Sequence, residues 1–386
     1  MNPQSYGGER RLPELFDRYP HVVMFEPMPM SIMFDRCVGP MMATLISSSS
    51  QRASFADAVL KKIEQAQQKN ITEYCTPRDL SAVVLLSMAA LEFHISDKDR
   101  MHAVLSFFIS RIIGVPDFEH SSSCEREFEP DHNSGAILSE VSKRLYCPKN
   151  REPVLAVLSA CFRLRHFRQA LPTGSDPELL YGGLAGILLE GEPGIGKSEL
   201  VTASLVATGH VLNREYIVLP VAMAIEEKLC RLEDAFHRGQ MVVIDEINSA
   251  SMLEESLNQY LSGYDPHGQR PRVPGFMILA TQNPVSFAGR ARMSQALEKR
   301  FLKFCLPAYS DQDMSMILQQ KGYKETAKLR FADLFSCYAG LRLSRGLCFR
   351  DVLHEAGRHF PSSSRGQKRA YDQLAEEGDQ AAKSFA

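Results

Sequence analysis

In the second half of the chain, short apolar runs alternate with stretches of helical spacing. The runs at 184–190, 216–219, 241–245, 276–280 and 301–306 are four to seven residues long, as strands buried on both faces are. Between them, 199–208, 225–237 and 252–261 repeat apolar residues at intervals of three and four, the spacing of amphipathic helices. This alternation predicts an α/β fold, a parallel sheet with helices on both faces, over a domain at 136–308. Residues 310–360 turn helical without a further strand. A separate helical lid is expected over 309–361, and a polar tail over 362–386.

The first 118 residues carry no such alternation. The stretch Met24-Phe25-Glu26-Pro27-Met28-Pro29-Met30 is awkward for a long helix or a central strand. Its methionines suit core filling or a mobile arm, with an adaptable binding surface as the sharper reading. Phe55, Val59, Leu60 and Ile63 then share one helical face, and 79–93 and 99–113 follow as apolar helices. A mostly helical N-terminal segment is therefore expected over 1–118. His94 and His102 are separated by a polar turn at 96–99, so packing or surface roles are expected of them rather than metal ligation. Residues 119–135 are polar, with weak periodicity, and read as a linker. Helical spacing resumes at 137–146 and 154–170. Within the second stretch, Arg163, Arg165 and Arg168 read as a solvated helix face rather than a phosphate contact.

Composition narrows the class. The chain has 386 residues, 44% hydrophobic and 23% charged, which suits a soluble globular protein of one large or two ordinary domains. A net charge of -2 supplies no global attraction to nucleic acid or an anionic membrane. The 9 cysteines are scattered without a Cys-x-x-Cys pair, which argues against a cysteine zinc cluster or a disulfide framework. Residues 1–11 lack the apolar core of a secretory signal, and the run at 80–91 is too short to span a bilayer. A cytoplasmic setting with reduced thiols is expected.

The chemistry sits between the first strand and the next helix. Gly191-Glu192-Pro193-Gly194-Ile195-Gly196-Lys197-Ser198 has the G-x-x-x-x-G-K-[ST] spacing of a phosphate-binding loop, with strand, loop and helix in the required order. The glycines let successive amides turn inward, and the helix adds its positive N-terminal end. Lys197 would reach the β- and γ-phosphates, and the Ser198 hydroxyl would ligate Mg2+. One strand later, Met241-Val242-Val243-Ile244-Asp245-Glu246 ends in two acids. In a parallel sheet the carboxyl ends of the strands face the ligand crevice. Asp245 then suits Mg2+, and Glu246 suits polarising the attacking water. After the strand at 276–280, Asn283 stands where it would orient water or the γ-phosphate. An Asn-Pro turn explains it equally well from spacing alone.

The motif order resolves that choice. The loop at 191–198, the acidic strand at 241–246, Ala280-Thr281-Gln282-Asn283-Pro284 and the block 288–301 together resemble AAA+ ATPases of the midasin, dynein-related and MoxR-like group. The resemblance covers about residues 150–360. It implies Asn283 as sensor 1, and Arg300 as an arginine finger acting on a neighbouring subunit's nucleotide. Arg290 and Arg292 lie in the same block and compete for that role. Arg350, in Cys348-Phe349-Arg350-Asp351-Val352-Leu353, matches sensor 2 and would reach the γ-phosphate of its own subunit. The resemblance further implies ATP and Mg2+ as cofactors, a homo-oligomeric ring and a protein client. One departure stands out. Between Thr208 and Met241 there is room for a single strand and a single helix, with no aromatic-glycine pore loop, which puts polypeptide threading in doubt. The competing reading is a nucleotide-gated interaction or signalling module with little turnover. A GTPase is disfavoured because no Asn-Lys-x-Asp motif is present.

Overall fold

The computed structural model describes residues 28–68, 75–113, 132–172, 174–181, 186–249, 253–284, 293–325, 330–345 and 348–359. Five parallel strands form one sheet: β1 (Gly186–Glu190), β2 (Tyr216–Leu219), β3 (Met241–Ile244), β4 (Met277–Gln282) and β5 (Leu302–Cys305), in the order β2-β3-β4-β1-β5. The first strand is thus central, between β4 (Gly186 opposite Ile278) and β5 (Ile187 opposite Leu302). Its carboxyl end opens at the switch in strand order, where ligands bind in open α/β sheets.

Both sheet faces are apolar, which is why the strands read as continuous hydrophobic runs. Ile187, Leu189, Met241, Val243, Leu279 and Phe304 belong to one buried cluster, whereas Leu188, Val242, Ile244, Ile278 and Ala280 belong to another. Consecutive strand residues therefore enter opposite cores, as a period of two requires. The second cluster is closed by Leu232 and Phe236 of a helix at Ile225–His237 and by Leu257 and Tyr260 of a helix at Glu254–Tyr260.

The first cluster extends far beyond the sheet. It takes in α1 (Ser49–Gln68), α2 (Pro77–Ala90), α3 (Lys98–Ile112), α4 (His132–Ser142), α5 (Glu152–Ala170) and α6 (Lys197–Ala207). The helix α2 is buried almost all round from Leu80 to Ala90, and a capping box between Thr76 and Asp79 starts it. Met33, Met41 and Met42 fill this core, as core-filling methionines do. The stretch expected as a linker lies mostly outside the described residues. Its last part, 132–135, instead opens α4, whose apolar residues Ile137, Leu138 and Val141 pack on the cluster and outweigh the polar start.

Further helices are α7 (Ile225–His237), α8 (Glu254–Tyr260), α9 (Gln295–Glu298), α10 (Asp311–Gln320), α11 (Phe331–Arg345) and α12 (Phe349–His359), and short unlabelled ones lie at Met30–Met33, Gly39–Leu45 and Pro177–Tyr181. Helices α10, α11 and α12 share a small core of their own, including Met314, Leu318, Phe331, Phe335, Phe349 and Val352. The tail from 362 onward lies outside the described residues.

The expected solvated face on α5 is overturned. Arg165 and Arg168 are buried, and they bind backbone carbonyls: Arg165 donates through Nε (3.2 Å) and Nη2 (3.0 Å) to Gly239, and Arg168 donates through Nε to Leu179 (3.0 Å). Half-buried Arg163 pairs with Glu92 at 3.3 Å. Sequence offers only a charge run. These arginines face a turn, 239–240, and a helix end whose carbonyls have spare acceptor capacity, which a guanidinium satisfies with several donors. Gly239 is needed in that turn, since its φ is 62° and a Cβ there would sit 2.5 Å from the Pro274 carbonyl.

Candidate functional site

The loop at 191–196 leaves the carboxyl end of β1 and enters α6 at Lys197. Gly194 and Gly196 both have left-handed backbone, φ 80° and 78°. A Cβ on Gly194 would lie 2.9 Å from the Arg350 amide nitrogen, so the first turn of α12 closes directly on the loop. Lys197 is buried, and its ammonium donates to the carbonyls of Gly191 (2.7 Å) and Glu192 (2.8 Å) and to Oδ1 of Asn283 (2.9 Å). Sequence separations of 5 and 6 residues inside the loop and of 86 across the sheet meet at one nitrogen.

The acids at the end of β3 complete the cluster. Ser198 Oγ donates to Asp245 Oδ1 at 2.7 Å, and Thr281 Oγ1 donates to the same oxygen at 2.7 Å. Thr281 Oγ1 in turn accepts the Glu246 amide at 3.2 Å. Glu246 has left-handed backbone, φ 50°, and its Oε1 accepts from Asn283 Nδ2 at 2.9 Å. Asn283 is buried and uses both ends of its amide, the oxygen toward Lys197 and the nitrogen toward Glu246. The structure thus brings together Lys197, Ser198, Asp245, Glu246 and Asn283 from two strand ends and one helix. Hard oxygen donors at Ser198 and Asp245, adjacent to a glycine loop with left-handed backbone at Gly194 and Gly196, fit a small divalent cation with a phosphate chain.

Four residues of this region escape sequence reading. Thr281 does so because β4 runs to Gln282, two residues beyond the apolar run that marks it. Asn248, buried in the turn after Glu246, donates through Nδ2 to the Asn283 carbonyl at 2.9 Å. It sits two residues past the acids, which is its only local signal. Tyr309 donates its hydroxyl to the Ile195 carbonyl at 2.8 Å and stacks edge-on against Phe349, with ring centroids 5.0 Å apart. Arg151 lies over the same ring at 5.0 Å and donates to the Pro307 carbonyl at 3.3 Å. Burial raises the Tyr309 phenol above its usual range, opposed by the Arg151 charge. Burial likewise lowers the Arg151 guanidinium. Nothing local marks either residue, because their role depends on the chain returning from β5 past the loop.

The arginines are dispersed. Arg350 is exposed at the start of α12, beside the loop. Arg300, half-buried ahead of β5, donates through Nε to Asn258 Oδ1 of α8 at 2.9 Å, while its Nη1 is buried with no hydrogen-bond partner among the described residues. Burial, then the charge of Arg78, lowers its pKa. Arg290 and Arg292 lie outside the described residues.

The stretch of sequence that carries this geometry is similar to known proteins. Residues 186–301 match the family model of the AAA domain, dynein-related subfamily. The chain carries an AAA+ domain of the midasin and dynein-related group. Midasin of Dictyostelium discoideum is 31% identical over 156 residues, and Midasin of Giardia intestinalis is 32% identical over 155. Each alignment takes in 34% of this chain and 3% of the relative's length, so the likeness is to a small part of far longer proteins. A solved structure described as "Structural Basis for Katanin Self-Assembly" is similar over 41% of this chain and 54% of that one, at 17% identity and a TM-score of 0.29. Outside the AAA+ domain, no described helix is long and apolar enough to cross a membrane, and the same holds within it.

Proposed function

We propose that this protein is a Mg2+-dependent ATP hydrolase of the AAA+ type, assembling as a homo-oligomeric ring and coupling ATP binding and hydrolysis to remodelling or release of a protein partner. The convergence of Lys197, Ser198, Asp245, Glu246 and Asn283 carries this reading. Gly191, Glu192, Gly194, Ile195 and Gly196 present the amides that cradle the phosphates, Pro193, which has no N–H, stiffens the turn between them, and Lys197 neutralises the phosphate charge. Ser198 and Asp245 hold Mg2+, which when bound offsets charge on the phosphate oxygens. Glu246 polarises the attacking water, and Asn283 orients that carboxylate through its 2.9 Å bond.

Arg350 supplies charge from the lid of the same subunit, and Arg300 from the next. Phosphoryl transfer spreads negative charge over the γ-oxygens, and an arginine brought in trans contributes about 10^3 to 10^5 in rate. That is roughly 4 to 7 kcal/mol of barrier. Between β2 and β3 the chain spends only α7, so the partner is engaged without a pore loop in that interval.

The test is ATPase rate measured against protein concentration, with particle mass followed by light scattering, on the wild type and on Glu246→Gln. Turnover that rises with assembly, and ATP binding that survives in Glu246→Gln while hydrolysis falls by about 10^2 to 10^4, are expected. A monomer that binds ATP without turnover would replace the hydrolase by the ATP-gated interaction module. Undiminished turnover in Glu246→Gln would remove Glu246 from its role.

A further inference from the structure

At the opposite end of the sheet from the nucleotide loop, before β3 begins, three potential metal ligands converge. Glu233 and His237 are four residues apart on α7 and so share one face. Asp265 comes from the loop that joins α8 to β4. One ligand atom from each lies within 4.8 Å of the other two. His237 Nε2 and Asp265 Oδ2 are 3.2 Å apart.

The donors are set differently. Asp265 is buried, and its Oδ1 is committed to the amides of His267 (2.9 Å) and Gln269 (2.7 Å), which leaves Oδ2 turned to His237. His237 Nδ1 is buried without a partner, so Nε2 is the ring nitrogen that faces the carboxylates. Glu233 is half-buried, yet its carboxylate has no hydrogen bond or ion pair among the described residues. Neither carboxylate is matched by a lysine or arginine there. The other groups in reach are Tyr260, whose phenol is raised by burial and then by the charges of Glu233 and Asp265, and the exposed His267.

Two carboxylates and one imidazole are a mixed nitrogen and oxygen donor set that divalent transition metals favour. With Zn–N and Zn–O bonds of about 2.0–2.2 Å, adjacent ligand atoms around a tetrahedral ion stand about 3.4 Å apart. The His237 to Asp265 separation already matches that edge at 3.2 Å. Closing Glu233 from within 4.8 Å is a side-chain adjustment on an unencumbered carboxylate. Water, or His267 two residues beyond Asp265, is left for the fourth position.

We propose that Glu233, His237 and Asp265 form a binding site for a divalent transition-metal ion of the Zn2+ type, which staples the loop at 262–275 to the end of α7. The loop already leans on that helix end, where the Val273 amide donates to the His237 carbonyl at 3.2 Å. The ion adds bonds from both sides to that tether, just ahead of the strand that ends at Asp245 and Glu246. The site is structural, about 13 Å of strand away from those acids at ~3.3 Å per residue, and does not depend on the hydrolase reading.

The experiment is titration of the metal-stripped full chain with Co2+, read by the ligand-field absorption of a tetrahedral Co2+ centre, and with Zn2+ by calorimetry. One ion per chain, a Co2+ band of tetrahedral intensity, and a Zn2+-dependent rise in melting temperature are expected. Glu233→Gln and His237→Gln should each weaken binding by about tenfold or more, since even outer partners of metal ligands count for that much. Absence of stoichiometric uptake overturns the proposal. So does uptake unchanged in Glu233→Gln, the variant least able to disturb the fold because its carboxylate has no partner to lose.

Discussion

Replacing Thr281 with Val keeps the shape and the strand preference of the side chain and removes only its hydroxyl. That hydroxyl is wholly buried at the end of β4, donates to Asp245 at 2.7 Å and accepts the Glu246 amide at 3.2 Å. A hydrogen bond to a charged group contributes about 1.5–3 kcal/mol, and an amide left without its acceptor costs about 1–3 kcal/mol when buried. Because the Glu246 interaction is only part-buried, water recovers some of the second cost. A net destabilisation of about 3 kcal/mol follows. Urea unfolding monitored by circular dichroism reads this as a lower midpoint at unchanged slope. Thr281→Ser, which retains the hydroxyl, should recover most of the midpoint. In ATPase assays, Thr281→Val should lower kcat more than it raises KM, since Asp245 and Glu246 lose their shared anchor while the phosphate cradle is untouched. An unchanged unfolding midpoint in Thr281→Val, or a loss that Thr281→Ser does not restore, would refute the assignment of Thr281 as the hinge between the two acids.

Other consequences are equally open to measurement. Lys197→Ala removes the ammonium held by Gly191, Glu192 and Asn283, and direct titration should find nucleotide binding lost; full retained affinity would contradict the loop's role. Arg300→Ala subunits mixed with Glu246→Gln subunits should regain part of the activity that each lacks alone, because each supplies what the other misses across an interface. No recovery on mixing argues for action within one subunit. Burial pushes the thiols of Cys75, Cys147 and Cys161 up to about 12, so near pH 7 a maleimide should label the exposed Cys230, Cys305 and Cys337 first. Labelling of Cys161 in the native protein at a rate like that of Cys230 would contradict the fold around α5.

The sequence by itself determined what depends on neighbours along the chain. The strand, loop and helix around 186–207, and β2 and α7, lie where apolar periodicity and glycine spacing place them. Such patterns are local, since they reflect which face of one element meets a core. Asp245 and Glu246 were legible for the same reason, as polar residues ending an apolar strand. Asn283 needed the order of several motifs, because an Asn-Pro turn has the same local appearance.

Only the tertiary structure decided which distant groups meet. The bonds that define the site span 47 residues from Ser198 to Asp245, 86 from Lys197 to Asn283 and 114 from Ile195 to Tyr309. No periodicity reaches so far. The same holds for Arg165 and Arg168, which look like a solvated charge run until the turn at Gly239 and the end at Leu179 are folded against them. A charged side chain is buried when folded backbone supplies acceptors that repay its lost hydration. Those acceptors belong to other parts of the chain, so the residue's own neighbours carry no sign of them.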